Sequence, residues 1–267
     1  MKVLAIMGSP RKKGNTFAAV ERVKDELLHM DSTIDFEYLF LVDCHLEMCK
    51  GCFGCFAKGA DKCPLKDDRD MLYAKMKAVD GIIIAAPTYA VGVPALMKNF
   101  IDRFAYTLHR PCFFDQTFLA VSTVGGVVGM KQALGQLSLL AAGAKKSLKL
   151  GVPMPPISIP MLENKAAKKL KKTAKAFYAS MRGTARHKPG VADFSYFGAF
   201  KSLTRYESYK KECPADFEYY NERAAYFYPV KGLRAWLGRR LAGMMRFGFK
   251  LVVKEQGGQG KLSPKKP

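Results

Sequence analysis

The sequence predicts a doubly wound α/β fold built on a parallel sheet, followed by a mostly helical extension. Two observations carry this. Short apolar runs alternate with helix-period stretches as far as about residue 182. One of those runs, G-I-I-I-A-A at residues 81–86, has no polar side chain at all, the pattern of a strand covered on both faces.

The elements follow in order. Residues 2–7 form a short buried-type strand that stops at Gly8-Ser9-Pro10. Residues 15–29 are helical, with Phe17, Val20, Val23 and Leu27 on one face. A second strand spans 34–41. Asp67-Asp68 caps a helix running to about Val79, and 81–86 is the third strand. Pro94 sits at the first position of a helix over 95–107. Residues 118–123 are a fourth strand, with a helix over 130–142 after it. A fifth strand is expected within 151–159, where Pro153, Pro155 and Pro156 confine it to an edge. A basic helix over 163–181 closes this part. The expected division is therefore 1–182 as one α/β domain and 183–267 as a basic, aromatic-rich helical extension. Its joining linker holds Gly183, Pro189 and Gly190, and the last ten residues are expected to be disordered.

Apolar residues at 49% and charged residues at 25% exclude a wholly disordered chain. No run approaches the ~18 apolar residues of a membrane span. The apolar N-terminus is too short for a signal-peptide core, so a cytoplasmic location is expected. The net charge of +21 is uneven: residues 1–150 carry 20 Lys/Arg against 15 Asp/Glu, residues 151–267 carry 24 against 8. An anionic partner should meet the C-terminal part.

The segment Gly8-Ser9-Pro10-Arg11-Lys12-Lys13-Gly14-Asn15-Thr16 runs from strand through loop to helix N-terminus. Small residues let the backbone approach an anion. The hydroxyls of Ser9 and Thr16, the Asn15 amide and the first helical N–H groups can all point at a phosphate, and Arg11 adds charge. No G-K-[ST] closes the loop and no G-x-G-x-x-G is present, which excludes a Walker site and a dinucleotide fingerprint. A second loop, Pro87-Thr88-Tyr89-Ala90-Val91-Gly92-Val93-Pro94, follows the third strand. A third, Ser122-Thr123-Val124-Gly125-Gly126, follows the fourth. All three lie at carboxyl ends of strands, where open α/β sheets bind ligands.

Together, G-S-P-R-x-x-G-N-T and P-T-Y-x-x-x-V-P-A-L-M-K-N-F-I-D-R resemble the NAD(P)H-dependent FMN reductase and iron–sulfur flavoprotein branch of the flavodoxin-like superfamily, over about residues 1–160. The resemblance implies a flavodoxin-like fold and an FMN. Its phosphate would sit on Ser9, Arg11, Gly14, Asn15 and Thr16. Its ring would be framed by Pro87, Thr88 and Tyr89 on one side and by Thr123, Gly125 and Gly126 on the other. Hydride transfer belongs to the flavin, so no catalytic side chain is assigned. The implied activity is an FMN-dependent NAD(P)H oxidoreductase serving an unidentified acceptor, assembled as a homodimer or higher homo-oligomer. The alternative is a flavodoxin-like electron carrier that exchanges electrons with proteins and uses no nicotinamide directly.

Cys49, Cys52, Cys55 and Cys63 form C-x2-C-x2-C-x7-C, with Pro64 after the fourth. Three thiolates so spaced suit three corners of a cubane, and Cys-Pro is familiar as the fourth ligand of ferredoxin-type runs. The pattern matches the compact motif of the iron–sulfur flavoproteins, which implies a [4Fe–4S] cluster. Free packed thiols and a single zinc are the alternatives. Cys44, Cys112 and Cys213 are isolated and assigned to packing.

The stretch from Lys231 to Lys254 is amphipathic. Leu233, Trp236, Leu237, Leu241, Met244, Phe247 and Leu251 share one side, and Lys231, Arg239, Arg246 and Lys250 the other, with Arg234 and Arg240 interrupting. Such a helix can dock on the core, on a second subunit, or at an anionic membrane surface. No reading motif supports nucleic-acid binding. The aromatics of 183–267, from Phe194 to Tyr228, are expected to bury in packed helices with basic residues outward.

Overall fold

The computed structural model describes residues 1–126, 128–185, 190–221 and 232–255, the last with side chains as far as Met244. In chain order the elements are β1 (Lys2–Met7), α1 (Asn15–Met30), β2 (Asp35–Phe40), α2 (Gly54–Ala57), α3 (Arg69–Lys77), β3 (Gly81–Pro87), α4 (Ala95–Arg103), α5 (Tyr106–His109), β4 (Thr117–Val124), α6 (Met130–Leu137), β5 (Lys146–Pro153), α7 (Pro160–Arg182), α8 (Val191–Leu203), α9 (Glu207–Glu212), α10 (Pro214–Asn221) and α11 (Leu233–Glu255). The chain divides into two compact units. One comprises Met1–Cys49 with Leu65–His187, the other Lys50–Pro64 with Lys188–Pro267.

In the first unit all five strands are parallel, in the order β2-β1-β3-β4-β5. The chain steps from β1 outward to β2, then crosses back to β3, so the sheet has its switch point between β1 and β3. β3 is buried at every residue, as its unbroken apolar run requires. Alternation sorts the strands between two faces. Val3, Ala5, Met7, Ile83, Ala85, Leu119 and Val121 share a core with Val20, Val23 and Leu27 of α1 and Leu170, Ala174 and Phe177 of α7. A Cβ on Gly81 would lie 2.4 Å from Met181 Sδ and 2.7 Å from Phe177, so α7 packs where only glycine fits.

Three elements differ from the sequence expectation. The helix over 95–107 splits into α4 and α5, because at Phe104 the backbone bonds tighten to the i→i−3 carbonyl of Ile101. The helix over 130–142 ends at Leu137 and passes into a 3₁₀ turn. The fifth strand lies at Lys146–Pro153, earlier than 151–159. It is the expected edge strand, and its exposed first half reads as polar.

In the second unit α8 packs against α11, and α10 against α8 and α9. Tyr220 is fully buried, stacked on Phe200 and tilted against Phe197, each at 5.4 Å between centroids. The Tyr209 hydroxyl donates to Asp216 Oδ2 at 2.7 Å. Phe194, Phe197 and Tyr220 are thus buried as expected, while Tyr196 is exposed. Pro189, Tyr226, Phe227, Tyr228, Lys231 and the C-terminal tail lie outside the described residues, as do the side chains of Arg246, Phe247, Lys250 and Leu251.

Candidate functional site

Three loops leave the carboxyl ends of β1, β3 and β4 beside the switch point. The first begins at Gly8, whose N–H donates to Ala85 O at 2.8 Å. A Cβ there would come within 2.4 Å of Met97 Cε, so the close approach of α4 requires glycine. The buried Ser9 hydroxyl accepts the Arg11 N–H at 3.1 Å and folds the loop over. Gly14 is the N-cap of α1. It offers no side chain to the helix, and the first turn carries no acid. The leading N–H groups of α1 have no intrahelical acceptor, so this end is set to receive an anion.

Hydroxyls tie the loops together. Thr16 Oγ1 and Thr123 Oγ1 lie 2.7 Å apart, both buried, joining the first loop to the third. The Thr88 N–H donates to Thr123 O at 2.7 Å and its hydroxyl pairs with Ser122 Oγ at 3.0 Å, joining the second to the third. Tyr89 and Gly92 exchange backbone hydrogen bonds at 2.9 Å, closing a tight turn. The intervening Ala90 (φ 46°) and Val91 (φ 67°) sit in the left-handed region, which a β-branched residue rarely enters; such strain costs about 1–3 kcal/mol and clusters at functional sites. Two contacts brace the turn. Gln136 Oε1 accepts the Val93 N–H at 2.9 Å, and Gly129 (φ 80°) lies so close that a Cβ would be 2.7 Å from Val91 Cα.

The loops enclose a cleft of about 120 Å³. Ten of the eleven expected residues line it: Ser9, Arg11, Gly14, Asn15, Thr16, Pro87, Thr88, Tyr89, Thr123 and Gly125. Gly126 does not. Val124 and Met154 also line it and carried no sequence signal. Met154 is brought there by β5, its N–H donating to Val124 O at 2.7 Å. Among the described lining residues Arg11 is the one charged side chain, so the cleft suits a dianion. Its volume is below the ~300 Å³ of a whole-ligand pocket and is of head-group size. A Cβ on Gly125 or Gly126 would meet nothing within 4 Å, and neither has positive φ. Packing does not demand glycine at either position.

The family model for NADPH-dependent FMN reductases matches residues 1–153. The chain belongs to this NADPH-dependent FMN reductase family. Among curated relatives of this FMN reductase-family chain, an iron–sulfur flavoprotein of Methanocaldococcus jannaschii is 42% identical over 103 residues, 39% of this chain and 51% of the relative. One of Archaeoglobus fulgidus is 33% identical over 138 residues, 52% and 61% respectively. The chain thus spans a little over half the length of these relatives. Among solved structures, a flavone reductase superposes with a TM-score of 0.55 at 14% identity, covering 98% of this chain and 93% of its own; this likeness shows the fold.

The second family motif has a structural role beyond the cleft. Asn99 and Arg103, both buried on α4, grip the segment leading to Cys49. Asn99 Oδ1 accepts the Cys49 N–H at 3.0 Å, and its Nδ2 donates to Leu46 O and Glu47 O at 3.1 Å. Arg103 Nη1 donates to Glu47 O at 2.7 Å, and Nη2 to Asp67 Oδ1 at 2.8 Å, in a forked pair with side chains at most 1% exposed. Burial pushes the Asp67 carboxyl up. Hydrogen bonds from Arg103, the Glu47 N–H and the Arg69 N–H outweigh that and hold it below the usual carboxylate range.

Cys49 and Cys52 are exposed, Cys55 and Cys63 half-buried. Among the described residues no three His, Cys, Asp or Glu side chains gather into a group able to hold a metal ion. Support for a cluster here is the spacing, not the arrangement of the side chains. Burial pushes the thiols of Cys44 and Cys112 up, as befits packed thiols.

Proposed function

We propose that the chain is an FMN-dependent NAD(P)H oxidoreductase, with residues 1–182 as its FMN-binding domain. One observation carries the reading: three loops that share no sequence neighbourhood are hydroxyl-bonded around one cleft at the sheet's switch point, against an uncapped helix N-terminus. In this reading Ser9, Arg11, Gly14, Asn15 and Thr16 hold the FMN phosphate. Pro87, Thr88 and Tyr89 face the ring from one side, Thr123, Gly125 and Gly126 from the other. Bound FMN supplies the hydride-accepting chemistry, with NAD(P)H as co-substrate.

The residues contribute binding and orientation. The α1 N–H groups and Arg11 neutralise a dianionic phosphate. The Thr16–Thr123 pair fixes the spacing of the phosphate and ring ends. The strained Tyr89–Gly92 turn holds the Tyr89 ring, 40% exposed, at the cleft mouth, where it excludes water from one side.

The [4Fe–4S] reading for Cys49, Cys52, Cys55 and Cys63 is a separate part of the proposal. Its support is the C-x2-C-x2-C-x7-C spacing and the name that the relatives carry. Homodimer formation rests on the family resemblance alone, and sedimentation velocity tests it. Anaerobic reconstitution followed by desalting tests both cofactors: about one FMN per chain is expected, with iron and acid-labile sulfide near four each. Absence of retained FMN overturns the oxidoreductase reading. Absence of iron overturns only the cluster.

A further inference from the structure

On the sequence, the large apolar side chains of α11 can bury against protein or at an anionic membrane surface. They do not face α8. The face of α11 against α8 is a stripe of small residues: Ala235, Gly238 and Ala242 are buried. A Cβ on Gly238 would lie 2.3 Å from Phe194 Cβ, and one on Gly198 would lie 2.7 Å from Ala242 Cβ. The helices therefore approach so closely that glycine is required on both sides. At 100° per residue, Leu233, Trp236, Leu237, Leu241 and Met244 fall on the opposite side. All five are exposed, Leu233 and Met244 at about 70%.

This exposed apolar face is bordered by cations. Arg234 and Arg239 lie on its two flanks and Arg240 within it, the last with its guanidinium 5.2 Å over the Trp236 ring. Residues 151–267 carry 24 Lys/Arg against 8 Asp/Glu. A second copy would set like charges against one another across the face, at a cost rather than a gain. Nucleic acid would use the arginines and leave five apolar side chains in water. An anionic bilayer surface takes both: apolar side chains enter the acyl boundary, arginines meet lipid phosphates, and a tryptophan sits at the headgroup level. Among the described residues no helix is long and apolar enough to cross a membrane, so the helix would lie on the surface.

We propose that α11 is a membrane-docking helix, binding anionic lipid headgroups through Arg234, Arg239 and Arg240 and the acyl boundary through Leu233, Trp236, Leu237, Leu241 and Met244. The proposal is independent of the flavin reading. It also explains why the packed face is built from small residues, which let α11 sit tightly on α8 while its large side chains stay outward.

Trp236 is the chain's one tryptophan and reports on the face directly. Full-length protein is mixed with vesicles of phosphatidylglycerol and phosphatidylcholine, or of phosphatidylcholine alone. A blue shift of Trp236 emission and co-sedimentation are expected with the anionic vesicles, weakening as salt rises. Leu237→Glu and Leu241→Glu change exposed positions and leave the α8 packing intact, which circular dichroism verifies. Each should weaken vesicle binding at least about tenfold. Arg234→Gln and Arg239→Gln should each weaken it about fivefold. Absence of a shift with anionic vesicles overturns the proposal. So does equal binding to neutral vesicles, or equal binding by the glutamate variants. A blue shift without lipid that follows protein concentration assigns the face to a second copy instead, and a salt-sensitive shift with duplex DNA alone assigns it to nucleic acid.

Discussion

Replacing Asp67 by alanine removes the carboxylate from a forked ion pair that water does not reach. The Arg103 and Asp67 side chains are 1% and 0% exposed, and Asp67 also accepts the N–H groups of Glu47 and Arg69. Leaving the guanidinium buried without its counter-charge costs about 3–5 kcal/mol, a large part of the ~5–15 kcal/mol that holds a domain together. At about 2–4 °C per kcal/mol for a unit of this size, Tm should fall by roughly 6–20 °C in thermal unfolding followed by circular dichroism. Asp67→Asn keeps the shape and removes the charge, and it exposes the pH dependence. The carboxyl is held below its ordinary value, so its stabilisation is complete above the unfolded value near 4 and is lost as pH falls through the lower folded value. Wild type and Asp67→Asn should differ most at neutral pH and converge below about pH 4. Asp67→Leu combined with Arg103→Met should restore most of the stability. A Tm drop under about 2 °C for Asp67→Ala, or a gap that does not narrow with acid, refutes the reasoning.

Other expectations follow from the same geometry. Asn15→Ala should weaken FMN by about 1.5–3 kcal/mol, read by flavin fluorescence titration, because it removes a donor to a charged group. Two glycines of the site should behave oppositely. Gly125→Ala has room for its methyl, so Tm should hold while FMN affinity drops. Gly129→Ala, at φ 80° and 2.7 Å from Val91 Cα, should lower Tm by several degrees. Val91→Gly relieves a left-handed β-branched residue and should raise Tm by about 2–4 °C while loosening Tyr89, which a weaker FMN affinity would reveal.

The sequence made the sheet and its ligand loops legible for a physical reason. A strand buried on both faces carries few polar side chains, so residues 81–86 read plainly as one; β1 is nearly as apolar, and β4 is apolar from Phe118 to Val121 before its buried Ser122 and Thr123. The loops announce themselves because anion binding restricts residue type: small residues and hydroxyls at fixed offsets from a strand end. Elements whose position depends on tertiary context were harder. β5 is an edge strand with an exposed first half, K-S-L-K, so hydropathy pointed further along the chain. Met154 lines the cleft only because that strand ends where it does. The outward side of α11 was legible as an apolar stripe, but not that it would face away from α8. Its glycines, which weaken an isolated helix, turn out to include a point of close helix contact at Gly238. The pairing of Arg103 with Asp67 joins residues 36 apart, and no local pattern records it.

In the proposed function, the cleft between the β1, β3 and β4 loops holds an FMN that a nicotinamide can reduce. An anaerobic titration of the FMN-reconstituted protein with NADPH, then with NADH, tests it most directly. Bleaching of the flavin band by one equivalent of nicotinamide per FMN is predicted, with FMN retention lost in Asn15→Ala combined with Thr16→Ala. FMN that is retained equally by that double variant, or that stays oxidised under excess of both nicotinamides while dithionite reduces it, contradicts the account.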